Sequence, residues 1–246
     1  MREYAYDLHI HSCLSPCGDN DMTPNNLVGM AAMMGLEVIA ITDHNTCKNA
    51  PAVMQVAKEA GILAVPGMEL CTAEEAHVVC LFETLEGAMD FDRYIEQNMP
   101  HIQNKAEIFG EQRILDANDQ MAGTLDSLLL VASSISADQV KGLCQQYGGT
   151  AFPAHVDRDS YSVIASLGSI PPEGGYTVAE VTRECDLAAL QAQYPELKGM
   201  GIVRDSDSHY LEALATSEAR KIALPERSAA ALLEVLGTGA IRCAGG

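Results

Sequence analysis

Residues 38–44 read Val-Ile-Ala-Ile-Thr-Asp-His, an apolar and largely β-branched run that ends in an acid and a histidine. A continuous run of this kind is typical of a strand buried on both faces of a parallel sheet. Helical patterns flank it at 23–34 and 49–60, and further apolar runs at 4–10 and 62–66 predict the neighbouring strands. Because strand and helix alternate, the sequence predicts an α/β fold with a parallel sheet.

The alternation pauses in the middle of the chain. Between residues 84 and 149 strand signals disappear and helical periodicity continues, which predicts a helical insert. Within it, helices are predicted at 91–99, 102–109, 124–131 and 137–146. Strands resume at 150–154, 177–181, 201–205 and 221–224. About seven or eight strands in this order favour a closed or distorted barrel over an open sheet, with 1–83 and 150–246 as the barrel domain and 84–149 as the insert.

The charge of the chain limits its partners. Fifteen lysines and arginines oppose thirty-four aspartates and glutamates in 246 residues, a net charge of −19. Such a surface repels polyanions and lacks the basic footprint of a nucleic-acid binder, which argues against a long nucleic acid as substrate. No apolar run reaches the roughly 18 residues of a membrane span. The N-terminus also lacks the apolar core of a signal peptide, so we expect a cytoplasmic protein with no membrane partner.

The cysteines agree with a reducing compartment. The eight of them include no C-x-x-C pair, and most are expected to be small buried hydrophobes. Cys13 and Cys17 lie near the first histidine pair, and a direct role in metal binding is the weaker alternative for them.

Histidines lie at the ends of the predicted strands. Six of the seven occupy such positions, and only His101 lies elsewhere, inside the insert. The six are His9, His11, His44, His77, His155 and His209, and the carboxylates Glu69 and Asp207 occupy similar positions. Because the C-terminal ends of parallel barrel strands converge on one face, we expect these side chains to meet there. Histidine and carboxylate together form the ligand set of zinc, manganese or ferrous iron.

Two short spacings support a metal site. His9 and His11 are two residues apart on a strand, so both rings point to the same side, and Asp207 and His209 repeat the spacing. For either pair alone, a buried histidine satisfied by a hydrogen bond is the competing interpretation. Glu69 and Asp207 would also repel each other in a partly dry pocket unless cations neutralised them. The full set therefore predicts bound divalent ions.

In their order along the chain, these motifs resemble those of the PHP (polymerase and histidinol phosphatase) family. They are His9-Ile10-His11-Ser12, Thr42-Asp43-His44, Gly67-Met68-Glu69, His77 before an apolar strand, Pro153-Ala154-His155 and Ser206-Asp207-Ser208-His209. The resemblance implies a distorted (β/α)7 TIM-like barrel, two to three divalent metal ions and hydrolysis of a phosphoester by a metal-activated water. It also implies that the insert caps the active site over a small phosphorylated substrate, a nucleotide or a phosphorylated metabolite.

The resemblance assigns the metal ligands by position: His9, His11, His44, Glu69, His77, His155, Asp207 and His209. Glu69 would bridge two ions, and Asp43 would orient its neighbours. The family's Ser-Asp-Gly after the first histidine pair is replaced here by Ser15-Pro16-Cys17-Gly18-Asp19-Asn20-Asp21. Asp19 is the preferred substitute for the missing carboxylate and Asp21 the alternative, although Gly-Asp-Asn-Asp also suits a simple turn.

A cationic side chain is expected to hold the phosphoryl oxygens, since a guanidinium matches phosphate in a bidentate manner. Arg158, three residues beyond His155, is the first candidate, with Arg183 and Arg204 as reserves. A surface salt bridge is the alternative for each of them.

Two other functions remain open. A metal-dependent amide or ring hydrolase on a related barrel would also use His-x-His, but many such enzymes carry a carboxylated lysine, and only Lys48 follows a predicted strand closely. A non-catalytic, metal-stabilised PHP module of a larger assembly is the second alternative, and the near-complete ligand set argues against it. The sequence contains no G-x-S-x-G, P-loop or G-x-G-x-x-G motif.

Overall fold

The strand predicted at 38–42 is the third of six in the main sheet of the computed structural model, which describes residues 1–215 and 220–241. The strands are β1 (Arg2–Ile10), β2 (Val38–Ile41), β3 (Leu63–Cys71), β4 (His77–Phe82), β5 (Arg113–Leu115), β6 (Met121–Thr124), β7 (Gly149–Pro153), β8 (Val178–Glu180), β9 (Gly201–Val203) and β10 (Arg220–Leu224). The helices are α1 (Pro24–Met33), α2 (Ala50–Glu59), α3 (Leu85–Asn98), α4 (Ala106–Phe109), α5 (Val140–Gln146), α6 (Val163–Leu167), α7 (Leu187–Gln193), α8 (Leu211–Ala215) and α9 (Ala229–Thr238). Strand and helix alternate over most of the chain, as predicted.

The main sheet is mixed, not purely parallel. Its strand order is β10-β1-β2-β3-β4-β7, with β1, β2 and β3 parallel to one another. Strands β4 and β10 run antiparallel to each neighbour they pair with. Strands β8 and β9 form a separate parallel pair, and β5 and β6 form a hairpin.

The predicted distorted (β/α)7 barrel is not confirmed as a full barrel, because β10 occupies the free edge of β1. Strand β10 pairs with Arg2–Tyr6 of β1, which leaves only the end of that strand for β9. At the end of β1, an isolated bridge joins Ile10 to Ser208, which follows β9. Between β7 and β8, the Val156 amide donates to the Glu180 carbonyl at 2.9 Å. The sheet is therefore a curled half-barrel within a mixed α/β fold.

The two faces of the sheet are both buried, which explains the apolar runs in its strands. On one face, Tyr4, Tyr6 and Leu8 of β1 pack with side chains of α9. On the other, Ile39 and Ile41 of β2 pack with the buried sides of α1 and α2. Helices must cover both faces of such a sheet, and the chain supplies them from both ends.

The segment 84–149 is not wholly helical. Its two longest helices, α3 and α5, pack on the sheet through side chains such as Phe91 and Val140. The helix predicted at 124–131 is wrong, since β6 ends at Thr124 and irregular backbone with an isolated bridge at Ser127 follows. The buried Gln112 side chain accepts from the Leu129 amide and donates to the carbonyls of Leu125 and Ser127, so it satisfies backbone groups that a helix would pair internally. The division of the chain into a barrel and a cap stays a prediction.

Over the described residues, none of the helices combines the length and the apolar character needed to cross a membrane. The seven described cysteines are free thiols, and Cys13, Cys47, Cys71, Cys80 and Cys144 are buried as predicted. Cys243 lies outside the described residues.

Candidate metal centre

Seven of the predicted ligands come from five strand ends and meet at one edge of the sheet. His9 lies in β1 and His11 directly after it, His44 follows β2, Glu69 lies near the end of β3 and His155 follows β7. Asp207 and His209 follow β9. Each of these strands approaches the same edge, so ligands that are far apart in sequence become neighbours.

His77 reaches this edge by a different route. It is the first residue of β4, and an all-parallel sheet would have placed it at the opposite edge. Because β4 runs antiparallel to β3, His77 pairs with Cys71 at the end of that strand. The antiparallel direction therefore brings the start of β4 beside the ends of its neighbours.

Glu69 is the centre of the cluster. Its side chain is 1% exposed, and five histidine nitrogens surround its carboxylate. Oε1 lies 2.9 Å from His77 Nδ1, 3.1 Å from His155 Nε2 and 3.2 Å from His9 Nε2, and Oε2 lies 2.9 Å from His44 Nδ1 and 3.4 Å from His11 Nε2.

Asp207 forms a second carboxylate point of the cluster. Its Oδ1 lies 3.2 Å from His11 Nε2 and 3.4 Å from His9 Nε2. The His209 ring stacks on the His11 ring at a centroid distance of 4.0 Å. The other oxygen, Oδ2, accepts an ion pair from Arg158 Nη1 at 2.6 Å. All six predicted histidines are thus gathered around two acids.

The donor atoms fit divalent cations. Glu69 Oε2 and Asp207 Oδ1 are buried and have no hydrogen-bond partner, although histidine nitrogens lie close to both. Buried carboxylate oxygens without partners are costly, and shared cations would satisfy them. Three sets of donors have ligand atoms within 4.8 Å of one another: His11, His44 and His209; His9, His11, Glu69 and Asp207; and His44, Glu69 and His77.

The charges of the cluster are set by competition between burial and close neighbours. Burial opposes the charged form of His9, but the carboxylates of Glu180, Glu69 and Asp207 outweigh it and raise the His9 pKa well above its usual value. Burial likewise opposes the charged form of Glu69, but the surrounding histidines hold its pKa well below the usual range. Burial lowers the pKa of His44 to about 4, so this imidazole is neutral at pH 7 and able to bind metal.

Glu180 contacts the cluster although no sequence motif pointed to it. It ends β8, is 1% exposed, and its Oε2 lies 2.8 Å from His9 Nδ1. A carboxylate behind a histidine fixes the ring orientation and increases its strength as a ligand. Its position as an acid at a strand end was the available signal, the same signal that identified Glu69.

Asp43 does not point into the cluster. Its Oδ1 accepts hydrogen bonds from the Ser12 amide at 2.7 Å and from Ser15 Oγ at 2.8 Å, and its Oδ2 accepts one from Ser12 Oγ at 2.7 Å. Ser15 Oγ in turn lies 2.9 Å from His11 Nδ1. Asp43 thus contacts its neighbours as a positioning residue and does not itself face the other donors. Ser15 was not identified from sequence.

Asp19 and Asp21 are not brought into the cluster. Asp19 is exposed, and its Oδ1 accepts from the Asp21 amide at 2.8 Å, which is the simple turn that Gly-Asp-Asn-Asp allows. Cys17 lines the cavity beside the cluster, whereas Cys13 faces the Arg113 carbonyl. Burial raises the pKa of the Cys13 thiol to about 12, so this thiol is protonated at neutral pH.

A cavity of about 300 Å³ opens beside the cluster. Leu129, Leu130 and Tyr161 form its apolar side, and Arg158, with 45% of its side chain exposed, lines it as well. The reserve candidate Arg204 has a structural role, since its guanidinium donates to the carbonyls of Thr182, Arg183 and Cys185 at 2.6 to 3.2 Å.

Arg183 and Lys48 are not among the described residues that line the cavity beside the cluster. Arg183 lines an adjacent cavity that it shares with Arg158. Lys48 forms an ion pair with Asp92 Oδ2 at 2.7 Å. Lys48 and His101 both line a separate cavity. No lysine is among the residues that line the cavity beside the cluster.

Solved structures share this fold. The lesion-specific endonuclease Q of Pyrococcus furiosus superposes with a TM-score of 0.73 over 98% of this chain and 58% of its own, at 14% identity. A protein of Bifidobacterium adolescentis assigned as a metal-dependent phosphoesterase superposes with a TM-score of 0.56 over 83% of this chain and 87% of its own, at 16% identity.

Sequence comparison identifies the family. A 5'-3' exoribonuclease of Haemophilus influenzae is 28% identical over 116 residues, which cover 47% of this chain and 39% of that protein. The chain spans less than half the length of the curated relatives it matches first. The sequence profile of the PHP domain family matches residues 7–158, which is more than half of the chain. This match agrees with the resemblance of the chain's motifs to those of the PHP family. The protein is a member of the PHP domain family.

Proposed function

We propose that this protein is a metal-dependent phosphoesterase that hydrolyses a small phosphorylated substrate. The observation that carries the proposal is the pair of buried carboxylate oxygens, Glu69 Oε2 and Asp207 Oδ1, that lack hydrogen-bond partners among six histidines. Two or three ions of zinc, manganese or iron would be held by His9, His11, His44, Glu69, His77, His155, Asp207 and His209. Divalent ions bound there supply Lewis acidity and a more acidic water for attack on phosphorus.

Arg158 would orient the phosphoryl group. Its guanidinium lines the cavity and is joined to the cluster through Asp207 Oδ2, so it faces the place where phosphoryl oxygens would lie. A guanidinium group is planar and permanently charged, and it can donate hydrogen bonds to two phosphate oxygens at once. Glu180 and Ser15 would hold the rings of His9 and His11 in place from behind.

The size and the charge of the molecule support a small substrate. The cavity of about 300 Å³ is at the low end of the range for small-molecule sites. Its apolar side, formed by Leu129, Leu130 and Tyr161, would contact the leaving group. A net charge of −19 repels long polyanions.

A nuclease is the second candidate, and the named relatives favour it. One is an exoribonuclease, and endonuclease Q has been solved with a DNA duplex that carries an abasic lesion. An amide hydrolase finds less support, because Lys48 pairs with Asp92 instead of lining the cavity. A non-catalytic module would leave Arg158 and the cavity without a role.

The test is a comparison of metal-loaded and chelated protein on four substrates: an aryl phosphate, a mononucleotide, a long single-stranded RNA and an aryl amide. We expect metal-dependent release of phosphate from the first two. Faster cleavage of the long RNA than of the mononucleotide would establish the nuclease. Protein that binds metal but leaves every phosphoester intact would overturn the proposal.

A further inference from the structure

Asn49 stands at the N-terminus of α2 but does not cap the helix. Asparagine is favoured at this position because its side-chain oxygen accepts from a free amide of the first turn. Here the side chain makes no such bond. It is fully buried, and Nδ2 donates to the Arg113 carbonyl at 3.1 Å while Oδ1 accepts from the Leu115 amide at 2.9 Å. Both the nitrogen and the oxygen of the Asn49 side-chain amide are thus hydrogen-bonded to strand β5. Neither atom is left to cap α2.

The same amide also reaches toward the metal centre. Nδ2 donates to Ser12 Oγ at 2.9 Å, and Ser12 Oγ donates to Asp43 Oδ2 at 2.7 Å. Asp43 Oδ1 accepts from Ser15 Oγ, which contacts His11 Nδ1. Asn49, Ser12, Asp43, Ser15 and His11 are all buried. A continuous hydrogen-bond chain therefore joins the β5–β6 hairpin to a histidine of the cluster.

The direction of the hydrogen bonds to Asp43 follows from its carboxylate. A carboxylate oxygen accepts hydrogen bonds, so Ser12 and Ser15 both donate to Asp43. Ser15 Oγ is then able to accept from His11 Nδ1, which carries the ring proton when Nε2 binds a metal. His11 Nε2 points toward Glu69 and Asp207, so this is the nitrogen that would bind the metal.

We propose that Asn49 is a positioning residue that couples the β5–β6 hairpin to the orientation of His11, and through it to metal affinity. The inference rests on the metal centre of the proposed function. Residues behind a metal ligand typically change metal affinity by about 10–100-fold when replaced. Three side chains separate Asn49 from His11 along the hydrogen-bond path. We therefore expect its replacement to change metal affinity by the lower part of that range.

Gln112 provides a matched control. Like Asn49, it is a buried amide with three hydrogen bonds that hold the same part of the chain, here to Leu125, Ser127 and Leu129. Unlike Asn49, it makes no contact with Ser12 or Asp43 among its hydrogen bonds. Replacing either amide by alanine removes similar packing, but only Asn49→Ala interrupts the path to His11.

The experiment titrates zinc into metal-free Asn49→Ala, Gln112→Ala and Ser12→Ala proteins by calorimetry, after thermal melts have confirmed that each is folded. We expect the zinc dissociation constant to rise about tenfold in Asn49→Ala and in Ser12→Ala and to stay within about twofold in Gln112→Ala. The double variant Asn49→Ala/Ser12→Ala should lose little more than either single variant, because both interrupt one path. Equal losses in Asn49→Ala and Gln112→Ala, or none in Asn49→Ala, would overturn the inference.

The outcomes for the coupling and for the metal centre are distinguishable. A parent protein that binds zinc and an Asn49→Ala variant that binds it equally well would contradict only the coupling. A parent protein with no affinity for any divalent metal would instead contradict the proposed function.

Discussion

Single residues at the site adopt backbone conformations that side chains usually avoid. Asn45, His155 and Asp207 have φ angles of 53°, 29° and 49°, in the left-handed region where glycine is the usual occupant. Two of them are predicted ligands, and Asn45 uses its side chain to donate to the Leu129 and Val131 carbonyls beside the cavity. Strain of this kind persists where surrounding contacts compensate for it, and it concentrates at functional sites.

Glu69 contacts more of the cluster than any other side chain described above, and its replacement should be the most damaging. We expect Glu69→Gln to lower both bound metal and turnover by at least about 100-fold, because even residues behind a ligand cost 10–100-fold. Elemental analysis and hydrolysis of an aryl phosphate measure the two effects. A variant with full metal content and normal turnover would remove Glu69 from the proposed site.

Arg158 should act through the bidentate geometry of its guanidinium as well as through its charge. Losing a charge-assisted contact costs about 1.5–3 kcal/mol, which corresponds to a fall in kcat/KM of roughly 10–100-fold in Arg158→Ala. Arg158→Lys keeps the charge but not the bidentate geometry and should recover only part of the loss. If Arg158→Ala stays within twofold of the parent enzyme, Arg158 is a surface ion-pair residue with no role in catalysis.

At the scale of elements, the site depends on close contact between β3 and β4. A Cβ added at Gly67 in β3 would lie 2.4 Å from the Cys80 carbonyl oxygen and 2.7 Å from Leu81 Cδ2. Only a glycine lets the two strands approach so closely two residues before Glu69. The antiparallel pairing that brings His77 to the cluster therefore has a local requirement in the sequence.

Gly67→Ala should disturb this pairing. Overpacking against backbone costs about 1–3 kcal/mol, and we expect the free energy of unfolding in urea to fall by that amount. The control is Gly29→Ala in α1, where a Cβ meets nothing within 4 Å and should raise helix stability by roughly 0.5–1 kcal/mol. A neutral effect at Gly67 would mean that β3 and β4 can move apart freely.

At the scale of the whole molecule, we expect stability to depend on metal, because the cluster of donors exists only in the folded chain. Ions that bind only the folded chain stabilise it by about 2.7 kcal/mol at 100 times their Kd. For a domain of this size that corresponds to a rise in Tm of roughly 5–10 °C. Chelation should lower Tm by this amount and re-added zinc or manganese should restore it, as followed by circular dichroism. A Tm that changes neither on chelation nor on re-addition of metal would argue against a buried metal centre.

Much of the site could be predicted without coordinates, because its residues carry a local signal. A histidine or an acid directly beside an apolar run marks a strand end, and this rule found the six histidines, Glu69 and Asp207. The same rule could not interpret the loop after His11, where an aspartate turn and a carboxylate ligand look alike in sequence. The sequence therefore predicts Asp19 as a ligand, whereas in the structure its carboxylate accepts from the Asp21 amide within a turn.

The sequence by itself determined the α/β alternation and which side chains gather at one edge, since both follow from patterns within a few residues. Only the tertiary structure decided the direction of β4, the pairing of β10 with β1 that leaves the barrel half open, and the contact of Glu180 with His9. These depend on which distant segments pair, and Glu180 and His9 are 171 residues apart. The free energy that selects such pairings is shared over the whole core, so no short stretch of sequence records it.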